Sequence, residues 1–166
     1  AGWVTLLLAL LASAALMGTA HTGLLRSELV VRMQQLVDLL QLGHAGITTA
    51  LRADQGSFEE SIAFMIRSDL VKSAPDSKGE IIYFEPSKRR ALDIYRNSIV
   101  HYLGVPSIIA RSLRAGATSK DLFEDVLLWR ELLYREYFTP SEEAGEAAVV
   151  RWMHFFEASG WIEQGG

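Results

Sequence analysis

The chain has 166 residues, a net charge of −4 and no cysteine. That length allows one domain with a real core or two very small ones, and 49% apolar with 22% charged residues is globular composition. Disulfides and thiolate metal sites are excluded, and the acidic total argues against a nucleic-acid binder, whose domain is normally basic.

The first stretch, Trp3 to Met17, carries no charge, and the first basic residue is Arg26. A signal peptide needs a positive start, which is missing. A membrane span needs about 20 apolar residues, and this run offers about 15 before Gly18, Thr19 and His21 intervene. The length fits a core helix, apolar on nearly every side and therefore deeply buried or pressed against a neighbour. Spanning, docking and internal packing are the three readings of residues 3–20. The abrupt apolar start, without an initiator Met, reads as a piece of a longer protein.

After a break at His21-Thr22-Gly23, a second helix is predicted from Leu25 to Leu42, with Leu29, Met33, Leu36 and Leu40 on one face beside Val30 and Val37. Gly43 is a natural stop. His44 to Gly56 reads as a loop. Ser57-Phe58-Glu59-Glu60 has the form of a capping box for a third helix to about Ser68, with Ile62, Met65 and Ile66 inward. Leu70-Val71-Lys72 and Ile81-Ile82-Tyr83-Phe84 predict two strands around the turn residues Pro75 to Gly79. Pro86 opens a helix to about Leu103, ended by Gly104 and Pro106, and a short helix follows from Pro106 to Leu113. Ser119 is expected to cap a long helix to Phe138, with Phe123, Val126, Leu127, Leu133, Tyr134 and Tyr137 on its face. Thr139-Pro140-Ser141-Glu142 is a second capping box, and the last helix reaches Ala158 with Val149, Trp152, Met153 and Phe156 inward. Ser159-Gly160 stops it before the extended Trp161-Ile162-Glu163.

These elements predict a mainly α fold, a multi-helix bundle with one small β-hairpin. Helix, helix and hairpin form a winged-helix-like unit, echoed when "SDLVKS" in the first half returns as "SGWIEQGG" in the second, where the unit is truncated. Residues 1–166 read as a single C-terminal helical region of a longer chain, subdivided into 1–104 and 105–166.

Catalytic signatures are missing: there is no Gly-x-Ser-x-Gly elbow, phosphate-binding glycine loop or dinucleotide fingerprint. His21, His44, His101 and His154 show no metal-ligand spacing. A histidine base that takes a hydroxyl proton works best when a carboxylate supports it. In acyltransferases of the general class that uses such a base, an aspartate stands five residues later. Here that position holds Arg26, Thr49, Pro106 and Ser159 in turn. No cofactor is implied. The most distinctive stretch is Leu92 to Tyr102. On a helix, Asn97 and His101 lie one turn apart, and Arg96 is expected to meet a carboxylate. Tyr95, Arg96, Asn97 and His101 form the candidate polar cluster. It reads first as a buried, hydrogen-bonded packing device and second as a ligand-facing group. Lys88-Arg89-Arg90 reads as a solvated face, and the helical spacing of Trp129, Trp152 and Trp161 favours core packing.

Tyr95-Arg96-Asn97-x-x-x-His101 with the following aromatic and apolar pair resembles the glycerol-3-phosphate and dihydroxyacetone-phosphate acyltransferase family, in which this motif lies downstream of the catalytic domain. Trp3 to Leu40 is similar to the family's leucine- and alanine-rich run followed by a helix opening on Glu-Leu. Val105-Pro106-Ser107-Ile108-Ile109-Ala110 is similar to its "Leu-Pro-Ser-Leu-Ile-Ala", Leu133-Tyr134-Arg135-Glu136-Tyr137-Phe138 to its "Leu-x-x-Glu-Phe-Phe", and Ser159-Gly160-Trp161-Ile162 to the "x-Gly-Leu-Ile" before its last hairpin. Ile94-Tyr95 stands where the family often doubles an aromatic. The family's His-x4-Asp and phosphate segments would lie upstream of Ala1, so no catalytic residue carries over.

The resemblance implies a structural and membrane-docking region of an enzyme that acylates the sn-1 hydroxyl of glycerol 3-phosphate to lysophosphatidic acid. It implies acyl-CoA or acyl carrier protein as donor, an upstream catalytic domain and a membrane surface as partners, and the cytoplasmic face of a bacterial inner membrane as location. The alternatives are a winged-helix-like binding module, disfavoured by charge, and a small membrane-anchored helical protein.

Overall fold

The computed structural model of the chain describes residues 2–19, 21–43, 55–134 and 145–162. The chain divides into two compact units, Ala1–Val100 and His101–Gly166.

The first unit is organised around α1 (Gly2–Met17). An apolar helix without a polar stripe needs neighbours on all sides, and α2 (Arg26–Gly43), α3 (Gln55–Arg67) and α4 (Arg89–Val100) supply them. Leu8, Ala9, Leu11, Ala12 and Leu16 are shut off from solvent. Ser13, buried with them, donates its hydroxyl to the Ala9 carbonyl at 2.8 Å and so is not left unpaired. Among the described residues no helix is long and apolar enough to cross a membrane; α1 is a core helix. Of the predicted inward residues, Leu29, Met33, Val37 and Leu40 of α2 and Ile62 and Met65 of α3 are buried, joined by Phe58, while Leu36 and Ile66 are only half-buried.

The hairpin is part of a three-stranded antiparallel sheet of order β1-β3-β2, with β1 Gly23–Leu25, β2 Lys72–Asp76 and β3 Gly79–Tyr83. The sequence treats Gly23 as a break, because three residues are too few to show alternation. The strand exists because β3 lies alongside it in the register Gly23↔Tyr83, Leu24↔Ile82 and Leu25↔Ile81. Gly23 is demanded by that approach: a Cβ there would stand 2.8 Å from the Tyr83 Cβ. Helix, strand, two helices and two strands in this order give the layout of a winged helix. β2 begins later than expected because the Leu70 and Val71 amides both point at the Met65 carbonyl, closing α3. α3 itself starts at Gln55, so Ser57 lies inside the helix and does not serve as its N-cap. The buried Phe58 anchors that turn.

The second unit contains α5 (Gly104–Arg114), α6 (Ser119–Tyr134) and α7 (Gly145–Ala158). Ile109, Leu122, Val126, Val149, Trp152 and Phe156 are its buried centre. The cap of α6 is Thr118, one residue before the expected Ser119. Asp121 lies three residues beyond Thr118 and accepts from both its backbone N–H (2.8 Å) and its hydroxyl (2.7 Å), whereas three residues beyond Ser119 stands Leu122. The predicted continuation of α6 to Phe138, the box Thr139 to Glu142, and most of the loop from His44 lie outside the described residues.

α3 and α7 end in the same way. α3 closes with Asp69 N–H to Ile66 O and Leu70 N–H to Met65 O; α7 closes with Gly160 N–H to Glu157 O and Trp161 N–H to Phe156 O. Asp69 (φ 53°) and Gly160 (φ 68°) hold the left-handed position of this Schellman closure. At the end of α7 Trp161 stacks on Phe156, ring centres 5.6 Å apart, which is the apolar contact such closures favour.

Candidate functional site

The polar cluster belongs to α4, entered through a 3-10 turn at Pro86–Lys88. Two ion pairs brace the entry, Lys88 with Asp69 and Lys72 with Glu85. The first holds the exposed Asp69 carboxyl below the usual carboxylate range, and the second raises the Lys72 ammonium. Arg89 and Arg90 are exposed, as the solvated-face reading requires. Leu92 and Ile99 turn into the core and fix the rotation of α4.

That rotation places the cluster at the surface. Tyr95 and Arg96 are half-buried, while Asn97 and Ser98 are exposed and Ile94 is 64% exposed. The expected buried packing device is thereby corrected: the core-facing stripe of α4 is taken by Leu92 and Ile99, and the polar residues fall on the flank. Their hydrogen bonds are local. Arg96 donates to the Asp93 carboxylate at 2.9 Å and to the Asn97 side-chain oxygen at 3.3 Å. The Ser98 hydroxyl donates to the Ile94 carbonyl at 3.0 Å. His101 begins a 3-10 turn (His101–Leu103) where α4 ends at Val100. The His101 side chain is outside what the structure describes.

The arrangement offers surface hydrogen bonding. Among the described residues no group of three or more His, Asp or Glu side chains could hold a metal ion. Arg26 bridges Glu59 of α3 and Glu80 of β3, tying helices to sheet. The Arg26 hydrogen bond, with a second from Ser73, holds the Glu80 carboxyl below the usual range. The position a winged helix offers to a duplex, α3, presents Glu59 and Glu60 at its start and Arg67 at its end. Such a face repels phosphate more than it attracts it.

A second surface was not legible as such. On α6, Leu127, Leu128 and Leu132 are each 55% exposed, and Val150 of α7 is 59% exposed. Leu127 is expected inward with Val126. Leu122 and Val126 fill the inward stripe instead, and the leucines fall on the far side. The run Val126-Leu127-Leu128-Trp129 was the available signal, since four consecutive large apolar residues on a helix cannot all face one way. Trp152 is buried as expected, but Trp129 and Trp161 are partly exposed, at 37% and 45%, which corrects their assignment to the core.

Residues 5–166 match the family described as the glycerol-3-phosphate acyltransferase C-terminal region. A glycerol-3-phosphate acyltransferase of Shewanella loihica is 31% identical over 113 residues, which are 67% of this chain and 14% of that protein. The chain thus matches a small part of its relative's length. No solved structure matches.

Proposed function

Because the chain belongs to the glycerol-3-phosphate acyltransferase family, as its C-terminal region, we propose that it is the non-catalytic scaffold and docking part of an enzyme acylating the sn-1 hydroxyl of glycerol 3-phosphate. The product is lysophosphatidic acid and the donor acyl-CoA or acyl carrier protein. The chemistry belongs to an upstream domain bearing a histidine base with its aspartate. The enzyme works at the cytoplasmic face of the inner membrane, and this region holds the upstream domain in place there.

The observation that carries this reading is the exposure, among the described residues, of Leu127, Leu128 and Leu132 on α6 and of Val150 on α7, on a chain whose four histidines all lack a supporting aspartate five residues on. Several large apolar side chains left in solvent support a protein or membrane contact. The burial of α1 within its own unit supports a surface contact.

The test is a split enzyme. The upstream half and this chain are made separately, each is checked for folding by circular dichroism, and acyl transfer to glycerol 3-phosphate is measured. The chain alone should be inactive and should restore activity to the upstream half. Leu128→Glu with Leu132→Glu should abolish the rescue without unfolding the chain. Two folded halves that show no rescue together would contradict the scaffold role.

A further inference from the structure

The second unit contains a cleft of about 670 Å³ between α5 and α6, within the size range of small-molecule sites, roughly 300–1,000 Å³. It exists because its rim is short of side-chain volume: Gly104, Ser107, Ser112, Ala115, Gly116 and Ala117 all line it. Its charges are segregated. Arg111 stands on the α5 wall and, among the described residues, forms no ion pair. Asp121, Asp125 and Trp129 follow one another at single-turn spacing on the α6 wall. The carboxylates are held in place, Asp121 by Thr118 and Asp125 by the hydroxyl of the buried Ser112. Each bond uses one carboxylate oxygen, Oδ2. The indole of Trp129 is partly open to solvent at the same wall.

We propose that this cleft binds a phosphate–ammonium zwitterion, its ammonium against Asp121, Asp125 and the face of Trp129, and its phosphate on Arg111. Carboxylates and an indole face both attract an organic cation, and a guanidinium fork matches phosphate oxygens. Neither half alone suits the cleft. A free amine meets the charge of Arg111, and a free phosphate meets two carboxylates. The apolar remainder, Ile108 with the alanines, leaves room for whatever carries the headgroup, so a lipid or a free metabolite could present the same chemistry. The inference concerns only this cleft and stands apart from the docking stripe, which the split-enzyme assay tests.

The experiment follows the Trp129 indole N–H by NMR while the whole chain is titrated with O-phosphoethanolamine, ethanolamine or inorganic phosphate. Saturable shifts are expected, with the zwitterion bound at least about tenfold more tightly than either half, a gap of about 1.4 kcal/mol. Arg111→Gln should reduce that affinity to the level of ethanolamine. Ser107→Phe, at an exposed position of α5, should block the cleft with the fold intact. Asp125→Asn keeps an acceptor for Ser112 and should lose the preference for ammonium. Equal binding of the halves, or binding unaffected by Ser107→Phe, overturns the proposal. Competition by phosphatidylethanolamine vesicles, set against phosphatidylglycerol vesicles, identifies a lipid source; its absence, with binding retained, identifies a free one.

Discussion

The two units spend the same kind of sequence differently. In the first, α1 is apolar on every side and receives α2, α3 and α4 around it, so Leu8, Leu11 and Leu16 are all fully buried. In the second, α6 is apolar on more than one side, and the neighbours α5 and α7 cover only the side of Leu122 and Val126. Leu127, Leu128 and Leu132 stay in solvent. Apolar surface left uncovered contributes nothing to folding and is an attachment surface in waiting. The comparison separates a unit whose most apolar helix is largely enclosed from one whose apolar helix is, among the described residues, covered on one side.

The largest effect should come from the enclosed helix. Leu11→Ala removes a fully buried side chain and should destabilise the chain by about 2–5 kcal/mol, read from the midpoint of urea unfolding. Next is Gly23→Ala. Its new methyl would meet Tyr83, Ile81 and the Ile82 carbonyl, and overpacking of this kind costs about 1–3 kcal/mol. Protection of the β1 amides from hydrogen exchange should fall furthest.

Thr118→Ala should act in the second unit only, by about 1 kcal/mol, the usual loss for a hydroxyl N-cap. Its pH signature has a defined sign. The Thr118 hydroxyl, and then its backbone N–H, hold the Asp121 carboxyl below its ordinary value. A carboxyl depressed in the folded state stabilises fully above its unfolded value, about 3.9, and loses that contribution as the pH falls through the folded value. Acid titration should therefore weaken the α6 cap at or below that pH, and Thr118→Ala should remove this part of the acid sensitivity. The smallest effect on stability belongs to Leu128→Gln, within about 0.5 kcal/mol, despite the size of the side chain. A loss comparable to that of Leu11→Ala would mean that the stripe is core.

Much of the first unit could be read in advance because its signals are one-dimensional. A charge-free run from Trp3 to Met17 has only one stable environment in water, and the periodicity of Leu29, Met33 and Leu40 fixes one face of α2. What was hidden depends on three-dimensional neighbours. Gly23-Leu24-Leu25 becomes a strand only once β3 is beside it. Ser57 has a good capping sequence and Ser119 is a favoured cap residue, yet the helices begin at Gln55 and behind Thr118, where Phe58 and Asp121 decide. The candidate cluster was legible as a family motif but not as a surface. Arg96 finds a carboxylate as expected, in Asp93, while the exposure of Asn97 and Ser98 follows from the rotation that Leu92 and Ile99 impose on α4.

The most direct test of the contrast is amide hydrogen exchange of the chain alone and mixed with the separately produced upstream acyltransferase half. Slower exchange across residues 127–132 of α6 and around Val150 of α7, with α1 unchanged, is the predicted result. Exchange unchanged in α6 and α7, or slowed in α1 instead, would contradict the assignment of the exposed stripe as the docking surface.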